Sequence, residues 1–294
     1  MSLIIKNVTK VFENKKVALD KVNLEFKKNQ ITGLIGFNGS GKTTLYNIIL
    51  NFIEKHEGEI LLNNKPITKK DLRFFTFLGA GMDSKNTTTS RNYLLMISDL
   101  YFVPKEKAQK TIEKLAKKMD FIENLDKPIK TLSKGNQQKI KVIISLLNPN
   151  TKYLILDEPF DGLDPLMVDT IAKLYLKLKN VTIIVTSHRM EVVQQMCNDF
   201  YVIKDGKIID MRKINKESIM VAVNSEVSIK KIQQEKYVTS INKINDEHLI
   251  EIKDISSYKK LTSLLIADKN YTYSTISQKS IAESVFLGYG DKNE

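Results

Sequence analysis

Three short runs of almost unbroken apolar residues punctuate the chain: Ile31 to Ile35, Tyr153 to Leu156 and Val181 to Thr186. Strands that are apolar on both alternating faces are the kind covered on both sides, so these runs predict the centre of a largely parallel sheet. Between the first two, from about Lys85 to Leu147, apolar positions change to a spacing of three and four. Pro104 can there occupy the first turn of a helix that carries Ala108, Ile112, Leu115 and Met119 on one face. A hairpin predicted at Lys204, Asp205 and Gly206 closes this part. Alternating stretches then follow at Ile219 to Val223, Tyr237 to Ile244, Leu249 to Ile252 and Thr272 to Ile276, with helical segments near Ser228 to Glu235 and Ser257 to Ala267. That β-α-β-β-α-β order is the ferredoxin-like pattern. The predicted class is α/β: residues 1–210 form a core with a mainly parallel sheet and a helical subdomain at about 85–150, and residues 211–294 form a small α+β domain, ferredoxin-like in order.

Composition narrows the possibilities. With 294 residues, 42% hydrophobic and 27% charged, the chain has the make-up of a folded globular protein with room for two domains. Its longest apolar runs stop well short of the roughly 18 to 20 residues that a membrane span requires. The start, MSLIIKNVTK, lacks a small-residue cleavage site and does not read as a signal peptide. A single cysteine, Cys197, excludes an internal disulfide framework, fits a reducing compartment and belongs to no motif. The net charge of +12 invites a nucleic-acid partner, but only Arg73, Arg91, Arg189 and Arg212 carry the planar fork that reads phosphates and bases. The excess is densest between Lys105 and Lys141, largely between apolar positions of helical spacing. A solvated helix face is the expectation there, with a nucleic-acid patch or attraction to anionic lipid headgroups as alternatives.

The chemistry begins at Gly36-Phe37-Asn38-Gly39-Ser40-Gly41-Lys42-Thr43, followed by Thr44 and a helical run. A strand, this G-x-x-x-x-G-K-T spacing and a helix start together make a phosphate cradle: backbone N–H groups turn inward, the helix dipole adds positive charge, Lys42 reaches the β and γ oxygens and Thr43 can hold magnesium. Tyr153 to Leu156 leads into Asp157 and Glu158, and ligands sit at such strand ends in open α/β sheets. Asp157 can hold magnesium, and Glu158 can polarise a water that attacks the γ-phosphate.

These residues resemble the ATP-binding cassette ATPases over residues 1–210. Leu132-Ser133-Lys134-Gly135-Asn136-Gln137-Gln138-Lys139 is similar to the L-S-G-G-Q signature, with Lys134 for a glycine and Asn136 for the glutamine. The resemblance implies that Phe12, with Val17 nearby, stacks on adenine; that Phe160 to Asp164 is the loop passing between paired subunits; and that His188 contacts the γ-phosphate. The loop that normally carries a magnesium-linked glutamine falls near Leu78 to Asp83, and Ala80 or Gly81 stands at the glutamine position, so either magnesium has one protein ligand fewer or Asp83 or a water substitutes. Ser133 and Gly135 are expected to face the nucleotide held by the phosphate loop of a second ATPase subunit. The tail Ser280 to Leu287 resembles the ending common in ABC-2-type exporters of antibiotics, peptides and similar amphipathic compounds. It implies ATP and Mg2+ as cofactors, a membrane-spanning permease partner docked at Tyr93 or Leu94, and a peripheral place on the cytoplasmic face of the membrane. The competing expectation is a soluble cassette ATPase acting on nucleic acid or ribosomes; the lack of a second cassette or long coiled-coil insert argues against it, and no nucleic acid is expected as partner.

Overall fold

The computed structural model describes residues 2–79, 87–187, 196–210, 219–224, 229–244, 247–253, 255–266 and 274–277. The chain divides into two compact units, Met1–Ile209 and Asp210–Glu294.

Two sheets build the first unit. The first joins β1 (Leu3–Val11), β2 (Val17–Phe26), β4 (Glu57–Leu62) and β5 (Lys65–Pro66) in the order β2-β1-β4-β5, all antiparallel. The second contains β3 (Ile31–Ile35), β6 (Phe75–Leu78), β7 (Tyr153–Asp157), β8 (Thr182–Ser187), β9 (Asp199–Lys204) and β10 (Lys207–Asp210). Its order is β10-β9-β3-β8-β7-β6, and the five strands from β9 to β6 run parallel. Each apolar run of the sequence lies in this sheet because each strand faces two cores. Tyr153 and Ile155 of β7 pack with the antiparallel sheet and with helix α1 (Lys42–Ile49), whereas Leu154 and Leu156 pack with the remaining helices. Burying one such side chain stabilises the fold by roughly 1.5–3 kcal/mol. A polar residue within this strand would therefore cost one core or the other.

The helical part consists of α2 (Ser90–Leu100), α3 (Lys105–Lys118) and α4 (Lys134–Ser145), and α5 (Pro165–Leu176) follows β7. Ala108, Ile112, Leu115 and Met119 are buried together, as their spacing requires. Pro104 stands at the N-cap of α3, just outside the helix. Arg91 on α2 binds Asp126 through two nitrogens, at 2.7 and 3.0 Å, and reaches Glu113 on α3 at 3.2 Å, which fixes the register of these helices. Leu94 is fully buried and Tyr93 packs partly against the same core, so Leu94 is structural rather than a docking residue. Among the described residues, the large apolar side chains this region exposes are Met96, Leu100, Ile122 and, at 94%, Phe102.

In the second unit β11 (Ile219–Asn224), β12 (Val238–Ile244), β13 (Glu247–Ile252) and β14 (Ser274–Ser277) pair antiparallel in the order β12-β13-β11-β14. This is the ferredoxin-like order, with α6 (Ile255–Ile266) as the second crossover. Where a helix is expected near Ser228 to Glu235, the described residues form only a 3₁₀ turn, Ile232–Gln234. Ile232 of this turn is buried in one cluster with Val221, Ile250 and Leu261. His188, Ala80, Gly81, Asp83 and the tail Ser280 to Leu287 lie outside the described residues.

Candidate nucleotide site

The loop Gly36 to Gly41 leaves the C-terminal end of β3 and enters α1 directly. Gly41 has φ +113°, and a Cβ there would meet the Ala18 carbonyl oxygen at 2.6 Å, so glycine is required twice over. Gly39, at φ +82°, has nothing within 4 Å of its missing side chain; it turns the loop while leaving space in front of it. The loop is stitched to its surroundings by Ser40 N–H to Phe37 O at 3.2 Å and Gly206 N–H to Ser40 O at 3.0 Å.

The Lys42 ammonium turns back into the loop and donates to the carbonyls of Gly36, at 2.5 Å, and Phe37, at 3.0 Å. Burial lowers its pKa, opposed by the nearby charges of Glu158 and Asp157. A buried ammonium bonded to neutral carbonyls is a ready partner for an anion, because a charged acceptor strengthens the bond. Ser40 Oγ is buried without a hydrogen-bond partner, a cost that an incoming acceptor would remove.

Asp157 closes β7 with both carboxylate oxygens engaged: Tyr46 Oη donates to Oδ2 at 2.5 Å and Thr186 Oγ1 to Oδ1 at 2.6 Å. Glu158 follows with φ +47°, a left-handed conformation unusual for glutamate, its N–H bonded to Thr186 O at 3.1 Å and its carbonyl accepting from Gln138 Nε2 at 3.3 Å. Such a conformation is costly for a residue with a side chain, and the two bonds hold it in place.

Phe12, 39% exposed, sits at the β1–β2 turn with the Lys10 ammonium 5.1 Å from its ring centroid. It faces a cleft of about 340 Å³ lined also by Lys16, Ala18, Phe37, Asn38, Gly39, Gly41, Lys42, Thr43, Thr44, Asp157 and Glu158. The structure thus brings together Phe12, most of the loop, both threonines and both carboxylates. Val17 does not join them, since strand alternation gives the lining to Lys16 and Ala18 on either side of it. Ser133 and Gly135 stand elsewhere. Ser133 Oγ caps α4 by accepting from Asn136 N–H at 3.3 Å, and Gly135 packs so closely on Gly162 that a Cβ would come 2.7 Å from its carbonyl oxygen. Tyr46, Thr186, Lys16 and Gln138 were not legible as site residues. Only Tyr46 carried a signal: a buried tyrosine needs a hydroxyl partner, and this one lies a single turn beyond Thr43.

The cleft fits a nucleotide, with an aromatic ring beside it, an orphan hydroxyl and a buried ammonium at the loop, and open space before Gly39. It also fits magnesium. Among the described residues no group of three or more His, Cys, Asp or Glu forms a metal cage, but one carboxylate and one hydroxyl are the donors that magnesium takes when substrate phosphates supply the rest.

The ABC transporter family model matches residues 19–161. An uncharacterized ABC transporter ATP-binding protein of Bacillus subtilis, YhaQ, is 34% identical over 214 residues, covering 72% of this chain and 71% of that protein. The chain belongs to the ABC transporter family. It is an ATPase cassette of that family, joined to the second unit. The methionine import ATP-binding protein MetN 1 of Bacillus cereus is 31% identical over 70% of this chain and 63% of its own length. The structure of cbiO1 from Clostridium perfringens, part of the ABC transporter complex cbiONQ, superposes with a TM-score of 0.59 at 27% identity, covering 70% of this chain and 86% of that one.

Proposed function

We propose that this ABC transporter ATPase powers a membrane exporter of antibiotics, peptides or other amphipathic compounds. The observation that carries its ATPase half is the convergence of Phe12, the phosphate loop, Asp157 and Glu158 on one cleft. The loop N–H groups, Ser40 Oγ and Lys42 bind the phosphates, and Phe12 offers its ring to adenine. Thr43 and Asp157 are the residues that would hold magnesium, which when bound draws charge from the β and γ phosphate oxygens. Glu158, half-buried at the cleft, accepts the proton of the attacking water.

Ser133 and Gly135 belong to the same chemistry in a second copy or a related subunit. They line no part of this cleft, and Ser133 is exposed at the N-terminus of α4, where backbone N–H groups and the helix dipole favour an anion. No helix among the described residues is long and apolar enough to cross a membrane, so transport calls for a membrane-spanning permease partner. The exposed apolar side chains Met96, Leu100 and Phe102 are the surface proposed to receive it, and the location expected for the cassette is peripheral, on the cytoplasmic face. Export as the direction is supported by the tail and by the lysine form of the signature.

The test uses everted membrane vesicles carrying the cassette and its permease. An exporter accumulates a fluorescent cationic amphipathic peptide inside them when ATP is added outside. ATP-dependent loss of peptide preloaded into the vesicles, with no accumulation, would overturn the direction.

A further inference from the structure

Tyr46 belongs to no motif, yet it is the polar side chain that ties the site together. One helical turn separates it from Thr43. Its ring is buried against Phe77, with centroids 4.9 Å apart, which directs the hydroxyl onto Asp157 Oδ2 at 2.5 Å. Tyr46 thereby ties α1, the helix that leaves the phosphate loop and carries Thr43, to Asp157 at the end of β7. A carboxylate with one donor on each oxygen keeps a lone pair on each and cannot rotate. Thr186, the other donor to Asp157, fixes the carboxylate alone.

We propose that Tyr46 is a positioning residue for the magnesium that accompanies the nucleotide, holding the Asp157 carboxylate in register with α1, the helix that carries Thr43, through its hydrogen bond. The proposal rests on Thr43 and Asp157 being the magnesium ligands. Partners of this kind are worth 10- to 100-fold in metal affinity elsewhere, so about a ten-fold effect is expected here.

The test compares the full-length parent chain with Tyr46→Phe and Thr186→Val, each of which removes one donor while nearly conserving volume. Two quantities are measured: ATP affinity with chelator present, and the affinity of the ATP complex for manganese, read by electron paramagnetic resonance as a stand-in for magnesium. Tyr46→Phe is expected to keep chelator-state ATP affinity within about two-fold and to lose about ten-fold in manganese affinity. Thr186→Val should lose less, because the link from Asp157 to α1 remains. Unchanged manganese affinity in Tyr46→Phe overturns the proposal, as does an equal fall in metal-free ATP affinity, which would make the residue a packing element. An equal or larger manganese loss in Thr186→Val removes the special role of the link to α1. If the parent itself binds ATP but the complex takes up no manganese, the ligand assignment fails and the proposal with it. A Tyr46→Phe chain that does not fold leaves the Thr186→Val comparison to decide: manganese affinity reduced by ten-fold or more there contradicts the proposal, and a smaller loss supports it.

Discussion

The phosphate loop matches its sequence pattern in full and the signature segment departs from its own at Lys134 and Asn136, and the structure treats the two in opposite ways. Around the loop, charge and polarity are buried and concentrated: Lys42 lies inside its own turn, Ser40 Oγ has no partner, and Asp157 is held by two donors. Around the signature, local structure satisfies what it contains, with Ser133 capping α4 and Gly135 seated on Gly162. An orphan hydroxyl beside a buried ammonium marks a surface awaiting a ligand, whereas satisfied groups at an exposed helix N-terminus mark a surface that can be offered to one. Under the proposed function, one chain thus carries a binding half at the loop and a presenting half at the signature.

Substitutions that separate the two halves should do so by different amounts. Glu158→Gln should lower turnover by roughly 10²- to 10⁴-fold while retaining ATP binding, since it removes only the proton acceptor; turnover at the parent rate would exclude Glu158 as the base. Lys42→Ala should weaken ATP binding about a hundred-fold, the worth of one buried charged hydrogen bond, and direct titration reads it. Leu94→Ala should cost about 2–5 kcal/mol of stability by leaving a cavity in the helical core. Leu100→Ser, on the exposed surface nearby, should change stability by less than about 0.5 kcal/mol but reduce the amount of permease retained on co-purification; the reverse pattern would move the docking surface elsewhere. Cys197→Ser should leave activity intact, because burial pushes that thiol up to about 12 and a thiol so held is inert at neutral pH.

Legibility differed between regions for physical reasons. β3, β7 and β8 could be read because strands buried on both faces leave continuous apolar runs, and the phosphate loop because its glycines are forced by backbone geometry. The antiparallel sheet was less visible: β1 carries Asn7 at φ +51° and several register shifts that break its alternation. Val17 was placed with Phe12 by nearness in sequence, which ignores the two-residue period of a strand. Tyr46 was hidden because its partner Asp157 is 111 residues away, and no local pattern announces a contact of that range. Leu94 shows the converse error, in which an apolar residue at the right address for docking is needed by the core beneath it.

The central claim is that the binding half of one subunit is completed by the presenting half of another. It is tested most directly by mixing two inactive chains, Lys42→Ala and Ser133→Asp. Aspartate caps a helix as well as serine does, so the second change adds negative charge without removing the cap. Each chain alone should hydrolyse almost no ATP, and Ser133→Asp should still bind it. An equal mixture should recover roughly a quarter of the parent rate, because half of randomly assorted dimers are mixed and each restores one of two composite sites. A mixture as inactive as its components, or full activity in Ser133→Asp alone, would contradict a site shared between subunits.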